Sequence, residues 1–234
     1  AALDRNVSSP RFAPDGRSVL FLLEESGTQP LARVPIDGGT VERVVTGERE
    51  VSAFDVAPSG AVVVLESSSD QPAEISTVGE AGALTRVTRA NDAVMAGLRL
   101  GRTERFRTKS PDGTPVDGFL VHPPGDMGGK MLPAILRIHG GPTAQSVNGF
   151  DRTAQFFANQ GYIVLEPNYR GSTNYGEAHK TDIVGNYFAP GYDDIMTGVD
   201  ALIAQGLVDS TQMGVLGWSA GGHWSNWILT HTDR

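Results

Sequence analysis

Ser219 stands at the centre of Gly217-Trp218-Ser219-Ala220-Gly221, a match to the pattern G-x-S-x-G. A serine hydroxyl held in such a pattern could attack a carbonyl carbon and form a covalent acyl intermediate, which is nucleophilic catalysis. Glycine makes up 29 of the 234 residues, so the bare pattern is weak evidence and the flanking sequence must support it.

An apolar run over residues 213–216 precedes the serine, and it predicts a buried strand. Apolar residues follow the serine at helical spacing, at Ala220, Trp224, Trp227 and Ile228. A strand that turns directly into a helix with serine at the corner is typical of the nucleophile elbow of an α/β-hydrolase.

An elbow of this kind explains why glycine and serine stand where they do. Side chains at Gly217 or Gly221 would collide with neighbouring backbone in so tight a turn, and the strained serine costs about 1–3 kcal/mol. That strain holds the Ser219 hydroxyl toward a substrate. We expect the N–H of Ala220, at the start of the helix, to stabilise a developing oxyanion.

A second glycine pair follows a predicted buried strand over residues 134–138, in the sequence His139-Gly140-Gly141-Pro142. In α/β-hydrolases the other oxyanion donor comes from a loop in this place. We expect the Gly141 N–H to be that donor, with Gly140 enabling the turn. His139 is expected to brace the loop by hydrogen bonding rather than to act as a base. An ordinary glycine loop is the alternative.

The elements around these residues alternate between strand and helix, which predicts a parallel sheet covered on both faces. Asp112-Gly113 predicts an edge hairpin between residues 106–109 and 116–122. Asp193 and Asp194 favour the start of a helix. The further predicted elements are helices over 151–160 and 193–204 and a strand over 163–165. Residues 104–234 are therefore predicted to be the N-terminal part of an α/β-hydrolase domain.

The first part of the chain contains an internal repeat, because residues 9–22 are echoed 44 positions later by residues 53–65. Each copy predicts two strands joined by a Pro-Asp/Ser-Gly turn, followed by a second pair of strands. Four strands in about 40–45 residues are typical of a β-propeller blade. Residues 1–88 are thus predicted to be the C-terminal part of a propeller, with about two blades. Residues 89–103 are predicted to be a linker. Two unrelated hairpin pairs in a sandwich are the alternative.

Composition excludes several classes of function. The net charge of −8 and the lack of a basic cluster argue against nucleic acid or an anionic membrane surface as a partner. Without cysteine the chain has no disulfide or thiolate site, which favours a reducing, cytoplasmic compartment. No apolar run is long enough to span a membrane. The five histidines are dispersed, so we expect no metal and no cofactor. The oligomeric state is not indicated.

Four motifs in this order, behind the repeats, resemble the prolyl oligopeptidase family of serine peptidases, and most closely its acylaminoacyl and dipeptidyl peptidases. The motifs occupy residues 139–142, 168–172, 191–194 and 217–222. The resemblance implies a propeller capping an α/β-hydrolase domain, peptide substrates limited in size, Ser219 as nucleophile, and Gly141 and Ala220 as oxyanion donors. The branch usually has an aromatic residue after the serine, so Ala220 implies a different pocket shape. Tyr169 and Arg170 are interpreted as structural.

The general base is the part that the sequence does not supply. In this fold an Asp and then a His follow the nucleophile, but only fifteen residues follow Ser219. His223 and His231 lie on the elbow helix, where a side chain points along the helix rather than across the pocket. His122 and His179 precede the serine. None of these four is expected to be the base.

The chain is therefore expected to stop before its triad is complete and to be inactive by itself. It also leaves the strand over 213–216 as a predicted sheet edge. The leading hypothesis is a serine peptidase that cleaves short or N-acylated peptides. The alternatives are a carboxylesterase-type hydrolase, or a non-catalytic propeller scaffold with a degenerate hydrolase domain.

Overall fold

The computed structural model describes residues 3–125 and 128–233. The few remaining residues of the predicted regions 1–88 and 104–234 lie outside the described part of the chain. The chain divides into two units. The first comprises Ala1–Leu98 with Val147–Phe150, and the second comprises Arg99–Ser146 with Asp151–Arg234.

From residue 3 onward the first unit contains two four-stranded antiparallel sheets, and in each of them every strand pairs with the next along the chain. One sheet contains β1 (Val7–Phe12), β2 (Ser18–Leu23), β3 (Leu31–Pro35) and β4 (Glu42–Val45), and the other contains β5 (Glu50–Val56), β6 (Val62–Ser68), β7 (Gln71–Val78) and β8 (Leu84–Arg86). Gly16 and Gly60 have φ of 67° and 88° in the equivalent turns, where glycine is favoured. The four-strand period predicted from the repeat is confirmed.

A shared apolar core stabilises this unit. Leu20, Leu31 and Val45 of the first sheet cluster with Val51 and Phe54 of the second, and all five are buried. After β8 the chain forms a short helix, α1 (Asp92–Met95), within the segment predicted to be a linker.

The second unit contains a five-stranded sheet in the order β13-β11-β12-β10-β9. Its strands are β9 (Thr103–Lys109), β10 (Pro115–Val121), β11 (Leu132–Ile138), β12 (Ile163–Asn168) and β13 (Val208–Gly217). β11 pairs in parallel with β12 and β13, whereas β9 and β10 form the predicted antiparallel hairpin at one edge. Among the described residues β13 is the opposite edge, as predicted.

In the described part of the second unit the α-helices are α2 (Arg152–Asn159), α3 (Glu177–Thr181), α4 (Ala189–Ala204) and α5 (Ala220–His231). The Asp151 side chain caps α2 by accepting from the N–H groups of Thr153 and Ala154. The start predicted for α4 at residue 193 is wrong. Pro190 lies in its first turn, where a missing N–H costs nothing, so the helix begins at Ala189. Asp194 is consequently inside the helix and buried.

Side chains of β11 alternate between two cores, because successive residues of a strand point to opposite faces. Ala134, Leu136 and Ile138 pack with α4 and α5, and Ile135 packs with α2. Helices therefore cover both faces of the sheet, as predicted. In the part of the chain that the structure describes, no helix is both long and apolar enough to cross a bilayer.

Candidate active site

Ser219 lies at the corner between β13 and α5. β13 ends at Gly217, α5 begins at Ala220, and Ser219 has φ 54° and ψ −118°. A positive φ is rare for a residue with a side chain and costs about 1–3 kcal/mol. Ser219 is exposed, and its hydroxyl makes no hydrogen bond within residues 3–125 and 128–233. The corner thus presents an unpaired hydroxyl to solvent.

The two glycines that flank the serine have no room for a side chain. A Cβ on Gly217 would lie 2.4 Å from the carbonyl carbon and oxygen of Gly221. A Cβ on Gly221 would lie 2.1 Å from the carbonyl oxygen of Ile138, at the end of β11. The elbow can therefore close only with glycine at both positions.

The loop that carries Gly141 packs against this corner. A Cβ on Gly140 would lie 2.9 Å from the Trp218 carbonyl oxygen and 3.5 Å from Ser219 Cβ. Gly141 has φ 124°, and a Cβ there would lie 2.6 Å from the Thr143 nitrogen. Within the described residues the N–H groups of Gly141 and Ala220 donate no hydrogen bond. The site therefore combines a free hydroxyl with two free amide donors, which are two of the features that catalysis of acyl transfer by serine uses beside a general base.

His139 is held on both sides of its ring. Nδ1 lies 2.8 Å from the Gly140 carbonyl oxygen, and Nε2 lies 2.9 Å from Ser172 Oγ. The ring stacks on Tyr169 at 4.5 Å, and the Tyr169 hydroxyl donates to the His139 carbonyl oxygen at 2.8 Å. Burial lowers the pKa of His139 to about 4, so the ring is neutral near pH 7.

An ion cluster anchors the turn that contains Tyr169. The Arg170 side chain is buried and pairs with the fully buried Asp194 at 2.9 Å, and also with Asp112 and Asp182. Burial opposes the charge of Arg170, but its hydrogen bonds to Asp194 and the charge of that carboxylate raise its pKa above the ordinary value. The backbone N–H of Arg170 donates to the same carboxylate at 2.7 Å.

None of the five histidines hydrogen-bonds the Ser219 hydroxyl in the described part of the chain. The four besides His139 have other partners. His122 contacts Glu104, His179 contacts the Tyr169 carbonyl, His223 contacts the Tyr187 hydroxyl, and His231 contacts the Trp227 carbonyl. Within the same residues, no group of three or more potential ligands is placed to hold a metal ion.

Two features of the second unit were not predicted. Ser172 is the last residue of the motif at residues 168–172, and its hydroxyl contacts the ring of His139. Glu166 is buried in β12 beside Arg137, which also pairs with Asp151. Burial raises the pKa of Glu166 to about 7, against the opposing charge of Arg137. A carboxylate inside an apolar strand was the signal that could have identified Glu166.

Comparisons with known proteins show similarity to one family of peptidases. Residues 148–234 match the family model described as Prolyl oligopeptidase family. Dipeptidyl-peptidase 5 of Porphyromonas gingivalis is 29% identical over 99% of this chain and 34% of its own length. Acylamino-acid-releasing enzyme 1 of Oryza sativa subsp. japonica is 36% identical over 99 residues, which are 42% of this chain and 12% of that protein.

The same relationship is visible in three dimensions. The acylaminoacyl peptidase of Pyrococcus horikoshii superposes with a TM-score of 0.88 at 27% identity, over 99% of this chain and 36% of that one. The chain thus spans about a third of the length of the relatives that it matches along almost all of its residues. The chain is therefore similar to the acylaminoacyl and dipeptidyl peptidases of the prolyl oligopeptidase family, and it has the fold of part of a β-propeller followed by part of an α/β-hydrolase.

Proposed function

We propose that the protein is a serine peptidase that cleaves short or N-acylated peptides through an acyl-enzyme on Ser219. The observation that carries this proposal is the strained corner at Ser219, with its free hydroxyl next to the loop of Gly140 and Gly141. The names of the relatives, dipeptidyl peptidase and acylamino-acid-releasing enzyme, support the substrate class.

The chemistry follows from these groups. Ser219 Oγ attacks the scissile carbonyl, and its proton passes to a general base and then to the leaving amine. The N–H groups of Gly141 and Ala220 receive the negative charge on the tetrahedral oxygen. Each such donor stabilises the transition state by about 2.7–4 kcal/mol. Water then hydrolyses the acyl-enzyme and releases the free acid.

The general base is proposed to come from another part of the whole protein, because the described histidines have other partners. We therefore expect the 234-residue chain to be inactive by itself. The assignment of residues 1–88 to a propeller, 89–103 to a linker and 104–234 to a hydrolase domain belongs to the same proposal. We also predict that the protein binds neither nucleic acid nor membranes.

The test assays the whole protein with two substrates that carry the same acyl group. One is an N-acylated peptide p-nitroanilide, and the other is the matching p-nitrophenyl ester. Ser219→Ala should abolish hydrolysis of the anilide. Ser225→Ala is the matched control, because this serine lies on the same helix and donates to the Gly221 carbonyl at 2.8 Å.

Each outcome separates the hypotheses. Hydrolysis of the anilide that depends on Ser219 and survives Ser225→Ala supports a peptidase. Hydrolysis of the ester alone supports a carboxylesterase-type enzyme. If the wild type hydrolyses neither substrate, the non-catalytic scaffold is favoured and the proposal fails.

A further inference from the structure

The loop that carries the proposed oxyanion donor is fixed at its upstream end by β11. That strand ends at Ile138, and the Tyr169 hydroxyl donates to the carbonyl oxygen of the next residue, His139, at 2.8 Å. Gly140 and Gly141 follow, and glycine backbones rotate freely. The direction of the Gly141 N–H therefore also depends on how the downstream end of the loop is held.

The loop folds back on itself directly after the glycines. A Cβ on Gly141 would lie 2.6 Å from the Thr143 nitrogen and 2.9 Å from the Ala144 nitrogen. The Ala144 N–H donates to the Pro142 carbonyl at 2.8 Å, and the Ala144 carbonyl accepts from the N–H of Thr173 at 3.0 Å. A displacement of Ala144 would therefore move Gly141 as well, because the backbone is closely packed at this point.

The side chain of Asn168 holds the chain at Ser146, two residues further on. Its Oδ1 accepts from the Ser146 N–H at 2.7 Å, and its Nδ2 donates to the Ser146 carbonyl at 3.0 Å. Asn168 is the last residue of β12 and is fully buried, so the sheet sets the position of its amide. One side chain thus pairs with both backbone groups of one residue, as a neighbouring strand would.

The place of Ser146 in the chain gives this contact its importance. The next residues, Val147–Phe150, belong to the first unit. There the N–H of Asn148 donates to the Gly27 carbonyl at 2.7 Å. Along the chain, the contact at Ser146 therefore separates the glycine loop from a segment that is anchored in the first unit.

We propose that Asn168 is a positioning residue for the oxyanion loop. Its amide fixes Ser146 to the end of β12, so that Ala144 stays in place and the Gly141 N–H keeps one direction. Full loss of an oxyanion donor lowers kcat about 100- to 1,000-fold, and a misplacement of about 1 Å can cost about 100-fold. The catalytic consequence rests on the proposed function, whereas the order of the loop does not.

Gln155 provides a matched control, because it makes the same kind of contact elsewhere in the second unit. This residue of α2 is buried, and its side chain accepts from the Gly101 N–H at 2.8 Å and donates to the Gly101 carbonyl at 3.1 Å. Asn168→Leu and Gln155→Met each replace an amide by an apolar side chain of similar size. Both leave two backbone groups unpaired and should lose similar stability, but only Asn168→Leu should disturb the loop.

The first experiment measures the order of the loop without catalysis. Hydrogen–deuterium exchange of the whole protein is followed in a peptide that covers residues 139–145, which excludes the Ser146 amide itself. The Ala144 N–H is the reporter, because its hydrogen bond lies within the loop. We expect its exchange to be about tenfold faster or more in Asn168→Leu and unchanged in Gln155→Met. Exchange that is no faster in Asn168→Leu than in Gln155→Met would overturn the proposal.

The second experiment measures hydrolysis of the peptide anilide. The oxyanion contact is made in the transition state, so its disturbance should lower kcat and leave KM almost unchanged. We expect Asn168→Leu to lower kcat about 10- to 100-fold, whereas Gln155→Met should stay within about twofold of the wild type. An equal loss of kcat in the two variants would show that only stability has changed, and it would overturn the role of Asn168.

A peptide aldehyde tests the same contact by binding. It forms a tetrahedral adduct with the serine and so resembles the transition state, whose binding changes in proportion to kcat/KM. We expect its affinity for Asn168→Leu to fall by the same factor as kcat/KM. An unchanged affinity would show that the oxyanion donors are still in place, and it would contradict the proposal.

The two proposals fail separately. A loop that exchanges as slowly in Asn168→Leu as in the wild type would remove the role of Asn168, even if hydrolysis depends on Ser219. Faster exchange with an unchanged kcat would remove it as well. Faster exchange in a protein that hydrolyses neither substrate would keep Asn168 as the residue that orders the loop and remove the peptidase assignment instead.

Discussion

Replacing Gly221 with alanine places one methyl group where the elbow has no space. The added Cβ would lie 2.1 Å from the Ile138 carbonyl oxygen and 3.0 Å from the His139 carbonyl oxygen. Both are backbone atoms of the strand end that leads into the glycine loop, so neither can move aside without shifting β11 or α5.

The expected cost follows from this contact. Overpacking a rigid site usually costs about 1–3 kcal/mol, and a clash with backbone belongs at the upper end of that range. We therefore expect Gly221→Ala to lower the free energy of unfolding by about 3 kcal/mol or more. Urea unfolding followed by tryptophan fluorescence measures this, because the three tryptophans of the chain, Trp218, Trp224 and Trp227, all lie at the elbow or on α5.

The adjacent glycine is the matched control. A Cβ on Gly222 would meet only the Gly217 carbonyl oxygen, at 3.6 Å, which is an ordinary contact. Alanine is favoured over glycine inside a helix by about 0.5–1 kcal/mol, so Gly222→Ala should be neutral or stabilising. The reasoning would be refuted if Gly221→Ala were as stable as the wild type, or if the two variants lost stability equally.

Three further predictions concern charged groups of the second unit. Asp194→Ala leaves the buried charge of Arg170 without its main partner, so the free energy of unfolding should fall by about 3–5 kcal/mol; a fall below about 1 kcal/mol in urea unfolding would contradict the ion cluster. The raised pKa of Glu166 means that the folded state holds its proton more tightly, so stability should fall as pH rises from 4.5 to about 7. Glu166→Gln should flatten that dependence. If urea unfolding shows the same change of the free energy of unfolding with pH in Glu166→Gln as in the wild type, the role of Glu166 is disproved. Asp151→Ala removes the cap of α2 and should cost about 0.5–2 kcal/mol, with faster amide exchange at the start of the helix; unchanged exchange would count against the cap.

Local and periodic features were predictable from the sequence. The turn glycines and alternating apolar residues of the repeat define the strands of both sheets in the first unit, because a hairpin depends on residues that are close in sequence. The corner at Ser219 is similar, since an apolar run, a glycine and a helical period all lie within about 20 residues. The predicted start of α4 was wrong because Asp193 and Asp194 favour a helix start, whereas α4 begins at Ala189 with Pro190 in its first turn.

Contacts between distant segments could not be predicted in the same way. Ser172 lies 33 positions from His139, and Arg170 lies 24 positions from Asp194. Nothing in the spacing of either pair indicates contact, because both depend on how β11, β12 and α4 pack. The short segment Val147–Phe150 is a further case. It belongs to the first unit, where Asn148 donates to Glu48 at 2.8 Å, although the residues on both sides belong to the second.

The most direct test of the central claim is covalent labelling of the nucleophile. The whole protein should react with a fluorophosphonate at a stoichiometry of one per chain, and peptide mapping should place the adduct on Ser219. Ser219→Ala should remove the label, whereas Ser225→Ala should keep it. Labelling that persists in Ser219→Ala, or a wild type that does not react at all, would contradict the assignment of Ser219 as an activated nucleophile.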